Sequence, residues 1–466
     1  MVVGVRLRKF LIVLALFSLF AIQPLASAAE PTRSAVYSVQ ETHRLPNRSS
    51  TTATSVEATI FLLDNRLDYA SQHILSEEIK INGILTSPEE SGIEDNRVAR
   101  FSLGTIAAGE TKTITINQTI RVDHIGPINP NAVQGEVPSN LSTYMQPIPN
   151  LWESNNPVFE NKALELTAGK TSLYDKAKAI FDFVESHLVY VPQTEEHSAL
   201  WAYDNRIGDC SEFTHLFSAL CRAAGIPTRF VSGYGYDPAK GEDLAAMGHA
   251  FAFIYLPGVE WAPMDLTWNR PQGMFGELSN DHLIELTSDG SNLVSGSEIK
   301  IPSNRVNYSF SGPNPNINFE STYGITRLVA VEPTIYAGSK IQDGMWTFSV
   351  DVKNLGTQSI SNVTVALQAD PAYFEVPSAQ SVGTLGSGMH NVAYFNVHVK
   401  QSVENSLVTA VVTYDSSYGA FKAQGQITAS ASLVSPVSEL RIILLLILLV
   451  CVVGGIAAVA SVLLRR

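Results

Sequence analysis

One region of the chain contains a cysteine, a histidine and an aspartate that could together perform covalent catalysis. The cysteine lies in the segment Gly208-Asp209-Cys210-Ser211-Glu212. Aspartate is a common helix N-cap, and a glutamate three residues later completes the capping-box pattern. The pattern predicts a helix that begins at Cys210, where the helix dipole favours a thiolate. For a lone cysteine, a small buried packing residue is the alternative interpretation.

The other cysteine of this region, Cys221, lies three turns farther along the same predicted helix. With 1.5 Å of rise per residue, the two Cα atoms stand about 16 Å apart, whereas a disulfide needs them within about 7 Å. We therefore expect Cys210 to remain a free thiol and Cys221, among Ala and Leu residues, to contribute packing. A chain with so few cysteines is not a disulfide scaffold.

A catalytic thiol needs a base, and the base needs a group that orients it. His249 opens one predicted strand, Asp265 closes the next, and a turn at Pro257-Gly258-Val259-Glu260 joins them. In this hairpin the two residues lie roughly opposite each other, within a couple of positions, where opposed Cβ atoms are about 5 Å apart. Taken alone, His249 could be a lone surface histidine and Asp265 could be a turn residue. Their joint geometry favours an imidazole oriented by a carboxylate, as in a nucleophile–base–orienter triad.

A metal site is the competing use of the region, because Asp209, Cys210, Glu212 and His215 cluster in the sequence. Residues around one helix start do not converge on a single point, and their spacing fits no zinc pattern. The sequence also lacks an EF-hand calcium loop. We therefore predict no metal requirement and no cofactor.

The surrounding elements predict an α+β domain. The segment from Ser172 to Leu188 has apolar residues at helical spacing and a serine cap, and a second helix is predicted at 209–224. Beyond it the pattern changes to strands, predicted at Arg229 to Gly233, His249 to Leu256 and Trp261 to Leu266. Helices followed by strands are typical of an α+β fold.

Three ordered blocks of this region resemble the transglutaminase-like superfamily. The first is GDCSEFTHLFSALCRAAGIPTRFVSGY, from Gly208 to Tyr234, with a cysteine at a helix start, then G-I-P-T-R and S-G-Y. The segments GHAFAFIYL and EWAPMDLTW resemble the family's histidine and aspartate strands, and NDHL at 280–283 is similar to its later D-H-[IL] element. The resemblance implies a papain-like α+β fold, with Cys210 as nucleophile, His249 as base and Asp265 as orienting carboxylate.

The chain departs from the family pattern at two positions. Ser211 follows the cysteine where many members have glycine, and Phe251 stands where many have tryptophan. Neither change removes a reacting group. The oxyanion hole would use the Cys210 backbone N–H and a second donor that the sequence does not place. Tyr190 and Trp201 are candidates, although a buried structural aromatic is the simpler interpretation of each.

Strand-rich regions flank the predicted domain, which we place at 160–300. Short strands with turn signals predict a β-sandwich at 34–150 and an immunoglobulin-like β-sandwich at 326–434. The Pro/Asn-rich stretch from Pro127 to Asn156 is interpreted as a linker or a covering loop.

The two ends predict export and anchoring. A basic start, an apolar run from Phe10 to Ile22 and small residues near Ala28 indicate a signal peptide at 1–28. The uncharged run from Ile442 to Leu464, followed by two arginines, predicts a single transmembrane helix at 441–464 with the bulk of the chain outside the cell membrane. The chain carries a net charge of −13, which excludes nucleic acid as an expected partner.

Two functions remain open at this point. The first is a surface-anchored, cysteine-dependent acyl-transfer enzyme that forms a thioester at Cys210 with protein or peptide amides, with cell-envelope proteins as candidate substrates. An incoming amine would give cross-linking, and water would give hydrolysis. The second is a catalytically inactive surface protein in which the two β-sandwiches bind or support and the middle domain is a scaffold.

Overall fold

The computed structural model describes residues 33–65, 71–93, 96–295, 298–299, 306–311, 316–342 and 344–431. The predicted signal peptide at 1–28 and the predicted span at 441–464 lie outside these residues. Within the described ranges, no helix is both long and apolar enough to cross a membrane.

The helices of the middle region gather around one helix that is buried on all sides. They are α1 (Pro157–Thr167), α2 (Leu173–His187), α3 (Ala199–Asn205) and α4 (Cys210–Ala223). As predicted, Ser172 caps α2 by accepting a hydrogen bond from the backbone N–H of Asp175. Every residue of α4 from Ser211 to Arg222 is buried, so its polar side chains need partners inside the domain.

A five-stranded antiparallel sheet, ordered β13-β12-β11-β10-β14, packs against α4. Its apolar side chains, among them Ala252 and Ile254, share a core with Phe213, Phe217 and Leu220 of the helix. The strands of the middle region are β8 (Val189–Tyr190), β9 (Ile207–Gly208), β10 (Thr228–Gly235), β11 (Gly248–Leu256), β12 (Glu260–Asp265), β13 (Met274–Phe275), β14 (His282–Ser288), β15 (Val294–Ser295), β16 (Glu298–Ile299) and β17 (Val306–Ser311).

The N-terminal strands form two sheets that share one hydrophobic core. One sheet has the order β17-β2-β6-β5, and the other contains β1, β7, β3 and β4. The strands are β1 (Ser34–Pro46), β2 (Ala53–Leu62), β3 (Gln72–Ile81), β4 (Ile84–Leu85), β5 (Glu89–Ile93), β6 (Asn96–Ile106) and β7 (Thr111–Asp123).

The C-terminal strands form a second sandwich around its own core, and one of its two sheets continues the sheet that contains β1. The immunoglobulin-like assignment of this sandwich stays a prediction. The strands are β18 (Glu320–Gln342), β19 (Met345–Asn354), β20 (Ile360–Ala369), β21 (Phe374–Glu375), β22 (Gln380–Leu385), β23 (His390–Val399), β24 (Val403–Ser416) and β25 (Gly419–Ala431).

The long strand β18 joins the two sandwiches, a connection that the sequence did not predict. Its first half, Glu320 to Ala330, pairs with β1, and its second half pairs with β19, which produces one eight-stranded sheet. Strand β17 likewise pairs with β2. The predicted boundaries 34–150 and 326–434 need this correction, because strands that follow the middle region in sequence complete the N-terminal sheets.

The Pro/Asn-rich stretch from Pro127 to Asn156 covers the middle domain instead of linking separate units. Leu151 and Trp152 are fully buried in the core around α4, and Ile128 and Val133 pack against that core. The core of the middle domain therefore includes residues that precede its predicted start at residue 160.

The N-terminal sandwich holds the outer edge of the central sheet through two carboxamide side chains. Gln72 donates to the carbonyl of Ile284 and accepts from its N–H, and Asn96 does the same with Thr287. Each carboxamide thus satisfies the backbone groups that an edge strand would leave unpaired. The contacts fix β14, which begins at a histidine.

Candidate active site

The capping box predicted around the cysteine is present. Asp209 accepts a hydrogen bond from the Ser211 N–H at 3.1 Å, and Glu212 accepts from the Asp209 N–H at 2.9 Å. Cys210 is consequently the first residue of α4 and is half-buried, whereas Cys221 is buried; both are free thiols. The close approach of the glutamate requires Gly208, since a Cβ at that position would lie 2.3 Å from the Glu212 Cβ.

The structure brings Cys210, His249 and Asp265 together. The Nε2 atom of His249 lies 2.6 Å from Oδ2 of Asp265. The register of the hairpin pairs Ala252 with Met264, so His249 and Asp265 are diagonal neighbours rather than directly opposed residues. Cys210 lies beside the same imidazole and contributes to raising its pKa.

The electrostatics of this pair favour a charged imidazole. Burial opposes the charge on His249, but the neighbouring Asp265 carboxylate and the contact with Cys210 outweigh burial and raise the pKa of His249 to about 10. For Asp265, burial raises the pKa, but His249 and a second histidine outweigh it and hold the pKa well below its usual value. At neutral pH the histidine holds a proton and the aspartate is ionised.

The second histidine is His282, which the sequence analysis placed in the D-H-[IL] element without assigning it a role. Its Nε2 lies 3.0 Å from Oδ2 of Asp265, and its Nδ1 lies 3.0 Å from Oγ of Ser279. The Trp268 ring lies beside both imidazoles, with centroid distances of 5.2 Å to His249 and 4.8 Å to His282. Gly235 makes room for this ring, because a Cβ there would lie 2.4 Å from it.

A loop after β8 is held against the start of α4 by acidic side chains. The N–H of Gln193 donates to Asp209 and the N–H of His197 donates to Glu212. Glu196 accepts hydrogen bonds from the Ser211 hydroxyl at 2.9 Å and from His215 at 3.2 Å.

The side chains of the alternative metal cluster have separate hydrogen-bond partners. Asp209 and Glu212 bind backbone N–H groups, and His215, whose Nδ1 accepts from Nε1 of Trp152 at 2.9 Å, points away to Glu196. Among the described residues, the group with metal-ligand chemistry is instead His249, Asp265 and His282, whose ligand atoms all lie within 4.8 Å of one another. In the structure these atoms are joined to each other by hydrogen bonds.

A family model for the transglutaminase-like superfamily matches residues 160–266. The matched segment contains the helix that carries Cys210 and the hairpin that carries His249 and Asp265. Residues 160–266 belong to the transglutaminase-like superfamily. Around this transglutaminase-like core, the remaining sheets make the chain a β-rich multidomain protein.

The similar proteins cover different shares of this chain. The uncharacterized protein YebA of Bacillus subtilis is 26% identical over 122 residues, which are 22% of this chain and 17% of YebA, so the chain spans about a sixth of that relative's length. The structure of a candidate cysteine protease from Cytophaga hutchinsonii is 18% identical, with 63% of this chain and 98% of that chain covered and a TM-score of 0.40. Red sea bream transglutaminase is 10% identical, with coverages of 81% and 78% and a TM-score of 0.23.

Of the two aromatic residues that the sequence offered as oxyanion donors, Tyr190 lies near Cys210 in the structure. Strand β8 pairs with β9 at Tyr190 and Gly208. Burial, together with the nearby Cys210 and Asp209, raises the pKa of Tyr190 to about 12. The phenol therefore keeps its proton and can donate it in a hydrogen bond. Trp201 stacks on His197 with ring centroids 3.7 Å apart.

Trp268 also lines a cavity of about 780 Å³ where the transglutaminase-like core meets both sandwiches. Its walls carry charged and carboxamide side chains rather than a continuous apolar surface. They include Arg33, Asn269, Asn280, Asp281, Gln424 and Gln426.

Proposed function

We propose that this protein is a cysteine-dependent acyl-transfer enzyme that acts on protein or peptide amides through a thioester at Cys210. The observation that carries the proposal is the contact of one imidazole, His249, with both the thiol of Cys210 and the ionised carboxylate of Asp265. A nucleophile, a base and a group that orients the base are the requirements for covalent acyl transfer.

The proposed reaction uses each of these groups once in each half. The Cys210 thiolate attacks the amide carbon, His249 gives its proton to the leaving amine, the C–N bond breaks, and a thioester forms. In the second half an amine or water attacks the thioester, His249 accepts the proton from that nucleophile, and the thiolate leaves. Asp265 stabilises the imidazolium throughout and is not itself protonated.

The tetrahedral intermediate requires hydrogen-bond donors for its oxyanion. The first N–H groups of a helix have no intrahelical partner, so the backbone N–H of Cys210 is one donor. We assign the second to the hydroxyl of Tyr190, since its strand lies beside Gly208. The carboxamide-lined cavity next to Trp268 suits a polypeptide substrate, because Asn and Gln side chains both donate to and accept from peptide groups.

The second reactant decides between transferase and hydrolase. The test offers the full-length protein a protein substrate together with a labelled primary amine. Incorporation of the label indicates a transferase, whereas cleavage without incorporation indicates a hydrolase. Either activity must disappear in Cys210→Ala and persist in Cys221→Ala, which alters the other described thiol, a buried one. If the protein shows neither activity and Cys210 is alkylated no faster than a model thiol, the scaffold function is favoured.

We also propose that the enzyme is anchored to the cell membrane with its folded part outside. The proposal rests on the sequence patterns at 1–28 and 441–464. The test is protease treatment of intact cells, followed by detection of the membrane-bound remainder. Protection of the folded region from protease in intact cells, with digestion after lysis, would contradict it.

A further inference from the structure

We infer that His282 is a positioning residue of this site, which holds the Asp265 carboxylate so that it can orient His249. The inference rests on the proposed function for its catalytic meaning, but the contacts that carry it are independent of any substrate. Neither the capping pattern nor the hairpin pattern of the sequence assigns this histidine a role.

The first observation is how the two oxygens of the carboxylate are used. Oδ1 of Asp265 accepts from the backbone N–H groups of Thr267 and Trp268, at 2.9 and 3.0 Å, and from the Thr267 hydroxyl at 3.2 Å. Oδ2 accepts from both His249 and His282. His282 is therefore the side chain that shares Oδ2 with His249, and its N–H holds this oxygen in place.

The second observation is that His282 is itself fixed on three sides. An ionised carboxylate only accepts, so Nε2 of His282 carries the hydrogen, and in the neutral ring Nδ1 accepts from the Ser279 hydroxyl. The ring is 1% exposed and lies against Trp268 and Phe251. Two hydrogen bonds and two aromatic neighbours together hold the ring in one orientation.

The third observation concerns the backbone that presents His282. The residue begins β14, and Gly235 of β10 is its partner in the sheet. The N-terminal sandwich holds the outer edge of β14 through Gln72 and Asn96. Two neighbouring structural units thus position the histidine, which explains how a strand outside the matched segment 160–266 completes the site.

The test uses four variants of the full-length protein. His282→Gln places an amide N–H near the position of Nε2, whereas His282→Leu removes the donor. Ser279→Ala removes only the hydroxyl at Nδ1 and serves if His282→Leu does not fold. The matched control is His43→Leu, because His43 is a buried histidine of the N-terminal sandwich whose ring nitrogens contact Ser321 and Glu41 at 2.9 and 3.1 Å.

Two experiments are run over a range of pH. The first measures kcat and KM for the acyl-transfer reaction, and the second measures the alkylation rate of Cys210 by mass spectrometry of its peptide. For His282→Leu we expect kcat to fall by up to about 100-fold with little change in KM, because a misplaced catalytic group loses rate rather than binding. We also expect the alkaline limb of both profiles to move to lower pH. His282→Gln should recover most of the rate, Ser279→Ala should show a smaller loss, and His43→Leu should leave both profiles unchanged.

A purely structural role would lower stability in His282→Leu and His43→Leu alike and move neither pH profile. Wild-type profiles in a folded His282→Leu or Ser279→Ala would overturn the inference. If the wild-type protein shows no turnover but alkylation of Cys210 still depends on His282, the proposed function fails and the positioning role stands.

Discussion

The 2.6 Å hydrogen bond between Nε2 of His249 and Oδ2 of Asp265 joins two strands whose register makes the residues diagonal neighbours. Cys210 stands at the start of α4, beside the same imidazole. The helix carries the thiol, and the sheet carries the imidazole and the carboxylate that holds it. The chemistry therefore depends on how α4 packs against β11 and β12.

We expect loss of any member of the triad to abolish acyl transfer. Loss of the thiol should do so without unfolding the protein. We expect Cys210→Ala and His249→Asn to lower kcat/KM by about 10⁴-fold or more, because nucleophile and base act as a unit. Asp265→Asn leaves the imidazole without its carboxylate and should also cost about 10⁴-fold. Steady-state kinetics measure the effect, and Cys221→Ala is the control that should keep wild-type rates.

The rate should fall at high pH as His249 loses its proton. The pKa of about 10 in the folded protein means that the imidazolium persists through neutral pH and is lost as the pH rises through about 10. Since the leaving amine takes its proton from this imidazolium, kcat/KM for amides should show an alkaline limb near pH 10. An alkaline limb near pH 6.5, the ordinary value for histidine, would contradict the assignment.

Tyr190→Phe is expected to lower kcat by about 100-fold while leaving stability nearly unchanged, because one oxyanion donor is removed from a side chain that is only partly buried, with 44% of its surface exposed. The measurement pairs kinetics with thermal denaturation. Tyr336→Phe, at an exposed tyrosine of the C-terminal sandwich, is the matched control. Equal activity of both variants would remove Tyr190 from the oxyanion hole.

Glu212 should make the free energy of unfolding decrease as the pH rises. Burial is the largest cause that raises its pKa to about 7. The folded state therefore keeps a proton that the unfolded state has lost above pH 4.5, and the free energy of unfolding decreases between pH 4.5 and 7 by up to about 1.4 kcal/mol per pH unit. Chemical denaturation of wild type and Glu212→Gln at pH 5 and pH 8 tests the sign. The wild type should lose stability relative to the variant at the higher pH.

Gly235→Ala is expected to displace Trp268 from the two histidines, because the new Cβ would lie 2.4 Å from its ring. We expect a changed near-UV circular dichroism signal and a loss of at least about tenfold in kcat/KM through the disturbed site. Gly126→Ala introduces a methyl group with no atom within 4 Å and should change neither. A changed near-UV signal with wild-type kcat/KM would show that Trp268 is dispensable, and an unchanged signal would show that the ring is not displaced.

The parts of the site that could be predicted are those encoded by local pattern. Asp209 and Glu212 mark the helix start within five residues, and the hairpin places His249 near Asp265 through a short turn. Helix caps and hairpin registers depend on neighbours in sequence, so one chain is enough to identify them.

The parts that could not be predicted depend on contacts between distant segments. Gln72 reaches Ile284 and Asn96 reaches Thr287 across about two hundred positions, and no periodicity marks such pairs. The long strand β18 contains Gly324 and Pro333, which are unfavourable in strand interiors. Its first half still pairs with β1 and its second half with β19. The D-H-[IL] element was the one available signal for His282, and the hydrogen bond to Asp265 gives it a role.

The central claim, a thioester at Cys210, is tested most directly by trapping the acyl-enzyme. The full-length protein is incubated with a peptide amide substrate in the absence of added amine, quenched in acid and digested, and the peptide that contains Cys210 is weighed by mass spectrometry. We expect the peptide to carry the mass of the acyl group in wild type. The added mass should be absent from Cys210→Ala and should be lost when an amine is added before the quench. Substrate turnover in wild type that persists in Cys210→Ala, with no acyl group on this peptide, would contradict it.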